Sequence, residues 1–549
     1  RQSVGRWMKA YREGGVRALK GRPQGWPKGQ ALQPWQAAQI VRTVEYRYNR
    51  ASQRTHADYE NLAYSRWQYD PTFGHLDQVT HYDGDDAVLS SFEYTYDLDG
   101  LRTRVTRENG DYVEYGYDGL SRLTDEHCKN AQGQTQWRRQ YQYDKVGNRT
   151  QLIKTDGATS RTYYYWYNGL GQLETMRWNV SGPEWYCRYT YDANGNLTGR
   201  TIDIEETLIQ EEWTYEWDAQ DRLVSVEKDD RTGAGEDVKV EYKYCQTCGG
   251  AMSERIEYAS DMQTIVSWLR YEYDGLNLLR IDEKYDGETP TGLDENDPWR
   301  PLNVFIHGPG AIGQIVKGKW YNYYSDGQNP TSCCDNGEYY YFYDALGNVN
   351  GVLDGGGHYY RWEMDAFGND LPSGNSFLNM DQPGPKEHLT GKMFDTTTGL
   401  YYFHARWYDP AIGRCISKDP SKKDSNLYLF AAAVPTIAVD PTGLVTCVYL
   451  ARGPVRLLGV LPVGAKHCVY IEDDSLTGWR SAELEVTKIF LSPWAKGRVR
   501  LGRGYGSWHR PHYTTRDITA NCRPDCLRKG MAWSAFSLWT ARTLSLIHI

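Results

Sequence analysis

Near the C-terminal end, His467 and Cys522 are the residue types of a base and a nucleophile. A thiolate is favoured at a helix N-terminus, and an imidazole in reach takes the thiol proton, so the pair suits a cysteine hydrolase. Cys526 competes with Cys522 for the same role. A second chemistry uses His467, Cys468, Cys522 and Cys526 as metal ligands, although C-x-x-x-C is not a standard zinc pairing and no second clean pair stands beside it. A third is a disulfide in an exported protein, with KGRVRLGRGYGSWHRPHY (496–513) as solvated basic surface. That stretch also suits a domain that attacks RNA or DNA. Upstream, Cys245-x-x-Cys248 and the adjacent Cys333 and Cys334 read as a loop staple or as a metal or redox site. Two Asp-Pro pairs, at Asp419 and Asp440, stand 21 residues apart. Read alone, each starts a turn, because Pro fixes φ and Asp caps. No cofactor is called for.

The chain that must position these residues has 549 of them, 40% hydrophobic and 14% aromatic, with 45 Tyr, 20 Trp and 54 Gly. Its mean hydropathy is −0.71. Disordered chains lack aromatics, so that class is excluded. A compact helical enzyme would use more Leu and Ala, whereas Tyr and Gly suit short strands and tight turns. There is no apolar run long enough for a membrane helix. Charge is uneven: residues 1–43 hold 9 Lys/Arg against 1 Asp/Glu, and 444 onward hold 15 against 7, although the whole chain is at −9. The middle is therefore strongly acidic, and such steps mark segments with different histories or partners. The 11 cysteines are an odd number and cannot all pair within the chain. The chain starts at Arg1 with no leader, and reads as a fragment.

The middle is a repeat. YTYDLDGLRTRVT (94–106), YGYDGLSRLTDE (115–126), YQYDKVGNRTQL (141–152), YWYNGLGQLETM (165–176), YTYDANGNLTGRT (189–201), YEWDAQDRLVSVE (215–227) and YEYDGLNLLRIDE (271–283) share aromatic-x-aromatic-Asp-x-x-Gly-x-Leu. The second aromatic recurs at spacings of 21, 26, 24, 24 and 26, and Tyr244 in EYKYC is a degraded copy in the longer gap that follows. Two rings two residues apart share one strand face. Asp then accepts from its own downstream backbone, Gly takes the left-handed position, and Leu opens a second strand. A lone hairpin cannot bury its face, so the hairpins must stack into a continuous sheet.

These strings resemble the YD repeats of the RHS family over residues 44–444, with further copies at YFYDALGNVNGVLD (341–354) and WEMDAFGND (362–370) and a family-like FIHGPGAIGQIV (305–316). The resemblance implies an all-β strip that spirals into a shell around the chain's own C-terminal segment. Residues 389–444 resemble the RHS-associated core through TGLYYFHARWYDPAIGR, the KDP at 418–420, NLYLF (426–430) and DPTGL (440–444). In that family the core is an aspartyl autoprotease that cuts after the Leu of DPxGL. Carried over, Asp419 and Asp440 form the carboxylate pair, Arg406 assists, and the bond between Leu444 and Val445 is cut. The chemistry needs carboxylates near enough to share a proton, one acting as base on a water and the other protonating the carbonyl. The sequence departs from the family at Lys422, where Gly is usual, and in a shorter interval between the two Asp. The turn-only reading therefore stands beside the catalytic one.

The expected organisation is a helical piece at 1–43, a YD-repeat shell at 44–388, the core at 389–444, a small α+β variable domain at 445–543, and 544–549. Residues 1–43 resemble the end of a transposase helix-turn-helix, with a basic linker at GRP, and read as a foreign fusion. LSLIHI (544–549) is the translation of a library adapter end, so native sequence is expected to stop near Thr543. In the tail, a strand His followed by Asn-Cys resembles circularly permuted papain-like hydrolases. The resemblance implies an RHS-type polymorphic toxin, secreted or at the cell surface. Its partners would be its own cargo, an immunity protein and secretion machinery, with nucleic acid engaged only through residues 1–43 or the basic tail. The alternative is a non-toxic cell-surface scaffold for adhesion or carbohydrate contact.

Overall fold

The computed structural model describes residues 43–444 except 52, 73, 180–181, 234, 247–249, 286–291, 309–313, 322–336, 372–385 and 422–425, with the backbone of four strands between 447 and 501. The readings made for residues 1–42, Cys248, Cys333, Cys334, Lys422, Cys522, Cys526 and 544–549 lie outside the described residues. What is described is all-β, apart from short 3-10 turns such as Leu389–Gly391 and Ala431–Ala433. No helix among the described residues is long and apolar enough to cross a membrane.

Strands from Val44–Tyr48 to Tyr359–Arg361 form one 25-stranded antiparallel sheet in which each strand pairs with its sequence neighbours. Each aromatic-x-aromatic run ends a strand, as in Val88–Tyr96 and Leu208–Trp217, and the residues after the turn open the next, as in Arg102–Arg107 and Leu223–Asp230. Asp97, Asp118, Asp144, Asp218 and Asp344 accept through Oδ1 from main-chain N–H groups two and four residues on. The left-handed position is Gly100 or Gly147 in two of these turns, with φ of 82° and 90°. Two turns lack that glycine, and there Ser121 (φ 63°) and Asp221 (φ 59°) take the left-handed backbone instead.

The two aromatics of each repeat do different work. The first is core: Tyr94, Tyr141, Tyr165, Tyr189, Tyr215, Tyr242, Tyr271 and Tyr341 are buried. The second sits at a recurring bulge and reaches back one hairpin. Tyr96, Tyr117, Tyr167, Tyr244 and Tyr343 hydroxyls and the Trp217 indole N–H donate to the carbonyls of Leu76, Arg102, Arg149, Leu223, Ile315 and Leu197, at 2.6–2.8 Å. Every one of those acceptors opens the second strand of the preceding hairpin. In these six repeats one atom thus clips successive hairpins together, and Tyr244 does so although its repeat is degraded.

The strip curls until early strands meet late ones. His81 Nε2 lies 3.0 Å from Tyr343 O, Ala345 N donates to Tyr94 Oη at 3.0 Å, Ser90 Oγ and Tyr359 Oη are 3.0 Å apart, and Ala366 N donates to Glu126 Oε2 at 2.9 Å. Ion pairs of Glu60 with Lys317 and of Glu108 with Arg361 follow the same seam. The partners are 240 to 269 residues apart, so one turn of the curl takes about that length of chain. Its first and last strands do not pair with each other, and the sheet is open.

Residues 386–444 pack on this strip. Their short strands, Met393–Asp395, Leu400–Tyr402, Trp407–Asp409 and Arg414–Cys415, form a separate small sheet. Side chains tie it to hairpins far apart in sequence: Arg255 Nε to Asp395 Oδ2 at 2.8 Å, Tyr242 Oη to Asp395 Oδ2 at 2.7 Å, Trp407 Nε1 to Tyr244 Oη at 3.1 Å, and Tyr428 Oη to Gly195 O at 2.8 Å. The expected boundary at Leu444 is crossed by backbone pairing. Ala438–Val439 pairs antiparallel with Cys447–Leu450, so the DPTGL segment is the loop of a hairpin. Beyond it, the described backbone of the tail is strand only, at Lys466–Ile471, Arg480–Val486 and Val499–Leu501.

Candidate active site

Arg406 stands just before the strand Trp407–Asp409, and its backbone is held by Phe403 N donating to Arg406 O at 2.9 Å. Asp419 is placed by its own N–H on Leu427 O (2.8 Å), and its Oδ1 accepts from Ser421 N (2.7 Å). Asp440 Oδ1 accepts from Gly443 N (2.8 Å) and Thr442 N (3.3 Å), while Thr442 O accepts from Ala405 N (3.1 Å). Gly443 has φ +77°, and a Cβ there would lie 2.7 Å from Phe403 O and 3.0 Å from Arg406 N. The DPTGL loop is pressed onto residues 403–406 so closely that only glycine fits.

Each aspartate has one oxygen left over, and both point at the same nitrogen. Arg406 Nη2 is 2.9 Å from Asp440 Oδ2 and 3.6 Å from Asp419 Oδ2, and its Nη1 donates to Leu427 O at 3.3 Å. All three residues are buried, with 4% of Arg406, 4% of Asp419 and 1% of Asp440 exposed. Burial works against the Arg406 charge, but Cys415, Asp440 and Asp419 together raise its pKa above the ordinary value. The neighbouring Cys415 thiol is pushed up to about 12 by burial. Both Asp-Pro pairs therefore cap turns through Oδ1, while Oδ2 faces the guanidinium. The carboxylates converge on Arg406, the cation that a buried carboxylate pair needs at hand.

Lys392 had no signal in the sequence, yet it lies in this neighbourhood. It is 2% exposed, and burial lowers its pKa to about 8 against the pull of Asp440. Only a three-dimensional contact could have shown it, since it stands 48 residues before Asp440. Arg255 with Asp395 was missed for the same reason.

The other candidates are not brought together. His467 and Cys468 lie in the strand Lys466–Ile471, which runs parallel to Cys447–Leu450, but Cys522 and Cys526 lie outside the described residues. Cys245 is disulfide-bonded, as a loop staple requires. Among the described residues, no group of three or more His, Cys, Asp or Glu is placed to hold a metal.

No family model matches the chain. It is similar to salivary gland surface protein 1 of Aedes aegypti, 30% identical over 186 residues, which cover 33% of this chain and 5% of that protein. It is 28% identical to tRNA nuclease WapA of Bacillus subtilis over 311 residues, 55% of this chain and 11% of WapA. It is 26% identical to toxin protein Tse5 of Pseudomonas aeruginosa over 376 residues, 64% of this chain and 27% of Tse5. The aligned stretch is thus about a quarter or less of each relative's own length.

Proposed function

We propose that this chain is part of an RHS-type polymorphic toxin whose curled β-strip encloses a C-terminal cargo, freed by cleavage after Leu444. The observation that carries the reading is the buried convergence of Asp419 and Asp440 on Arg406, at the root of the loop that ends in Leu444. Similarity to a protein named as a toxin and to one named as a nuclease supports it. In this reading Arg406 orients the two carboxylates. The reacting form carries one added proton on the pair: the ionised carboxylate takes a proton from a water that adds to the Leu444 carbonyl carbon, the protonated one gives its proton to the carbonyl oxygen, and the Val445 nitrogen leaves as the C–N bond breaks and accepts the proton taken from the water. Residues 445–543 are the cargo, variable in chemistry. An immunity protein and secretion machinery are its expected partners, and the compartment is extracellular or the cell surface.

The test is the mass of the full chain after expression, for the native sequence and for Asp440→Asn and Asp419→Asn. A fragment that begins at Val445 in the native chain and in neither variant supports the reading. A cut that persists in Asp440→Asn removes the assignment. A second reading, a non-toxic surface scaffold, is favoured by the similarity to a protein named for the salivary gland surface. It predicts one intact chain and an inert tail.

A further inference from the structure

Between the strip and the core lies a cavity of about 40 Å3 whose mainly apolar wall includes Leu276, Leu278, Ile315 and Met393, with Glu387, Lys392 and His404 among its polar members. That is room for a group of two or three heavy atoms, not for a sugar or nucleotide. Among the described residues, the Lys392 side chain makes no hydrogen bond and no ion pair; the Phe403 ring, 6.0 Å from Nζ, is its recorded neighbour. A buried ammonium without a hydrogen-bonding partner is costly, and the cavity is where a partner can stand. His404 turns Nε2 to Leu276 O at 3.0 Å and leaves Nδ1 buried and without a partner. Glu387 makes no ion pair with Lys392 among the described residues; its carboxylate accepts from Tyr341 Oη at 3.2 Å, and burial raises its pKa.

The cavity is next to the candidate cleavage loop. Gly443 seats on Phe403 O and Arg406 N, the Phe403 ring is also the neighbour of Lys392, and His404 between them lines the cavity. Asp440 is the carboxylate whose charge Lys392 feels. We propose that this cavity is a carboxylate site with Lys392 as its cation, and that its occupant is the α-carboxylate of Leu444 formed when the chain is cut. The second half rests on the cleavage reading. Water supplies the oxygen of that carboxylate, the C–N bond to Val445 breaks, and the amine carries away its proton. The new terminus then gives the ammonium the partner that it lacks among the described residues, and is held away from the amine with which it would rejoin.

The test measures thermal melting of the full chain in sodium formate against sodium chloride at equal ionic strength. In Asp419→Asn, left uncut and therefore empty at this site, formate raises the melting temperature to a plateau. Asp419→Asn with Lys392→Met loses that rise, and Asp419→Asn with Lys392→Arg keeps it, so a general loss of fold is told apart from loss of the cation. The cut native chain shows no rise, because Leu444 already fills the site. No formate response in Asp419→Asn, or the same response with Lys392→Met, overturns the site. A cut chain that responds as strongly as the uncut one overturns Leu444 as occupant. A native chain that is never cut overturns the cleavage reading, while the Lys392 comparison still decides the site.

Discussion

Replacing Arg406 by Met takes one cation from between two buried carboxylates and keeps most of the side chain's volume. The guanidinium makes contacts at 2.9 and 3.6 Å to Asp440 and Asp419 and at 3.3 Å to Leu427 O, with 4% of the residue exposed. Removing one partner of a buried ion pair costs about 3–5 kcal/mol, because the charge left behind is uncompensated. An exposed pair such as Arg47 with Asp58, whose side chains are 60% and 35% exposed, is worth about 0–1 kcal/mol. The assay is amide hydrogen exchange of the full chain, read on peptides covering 403–409 and 436–444, since a curled strip of this size does not unfold in one step. At about 1.4 kcal/mol per tenfold, Arg406→Met speeds exchange there by roughly 100- to 1,000-fold or more. Arg47→Met leaves the same peptides unchanged. Adding Asp440→Asn to Arg406→Met restores part of the protection, because one of the two stranded charges is gone. Protection that survives Arg406→Met, or a double variant worse than the sum of the singles, would refute the triad.

Gly443→Ala puts a Cβ 2.7 Å from Phe403 O at φ +77°, so the DPTGL loop lifts and any cleavage after Leu444 is lost; the intact mass of the variant checks this. Tyr343→Phe removes the donor to Ile315 O and strands a buried carbonyl, at about 1–3 kcal/mol, seen as faster exchange in Ile315–Trp320. At the seam, burial, with Asp365 adding to it, raises the Glu126 pKa to about 8. Its contribution is full below the ordinary carboxylate value and is lost as pH rises toward 8, so seam stability falls over that window and Glu126→Gln flattens the fall. His81, lowered to about 4 by burial, acts in the opposite sense: its contribution is present above 6.5 and is lost as pH falls through 4. Melting curves between pH 4 and 9 separate the two.

The hairpin strip was legible because each repeat carries its own local instructions: two rings on one face, an Asp that caps, and a Leu that opens the next strand. The Tyr-to-carbonyl clip was not, since the pattern shows that a ring recurs but not which atom, one hairpin upstream, its hydroxyl meets. Ser121 and Asp221 show a second gap, because the hydrogen bonds to Asp118 and Asp218 close the left-handed turn even without glycine. For Asp419 and Asp440, sequence offered a turn or a site, and the fold gives one oxygen to the turn and the other to Arg406. Arg406 was expected near them from resemblance alone; its position between them depends on how residues 403–406 receive the loop. Lys392 and the pairing of Ala438–Val439 with Cys447–Leu450 are products of tertiary contact and carry no local signal.

An enclosed cargo severed from its shell is detected by weighing the purified full chain twice, in native and in denaturing conditions. One particle is expected in native conditions and two polypeptides in denaturing ones, the smaller beginning at Val445. A single polypeptide in denaturing conditions, from a chain that is folded in native ones, would contradict it.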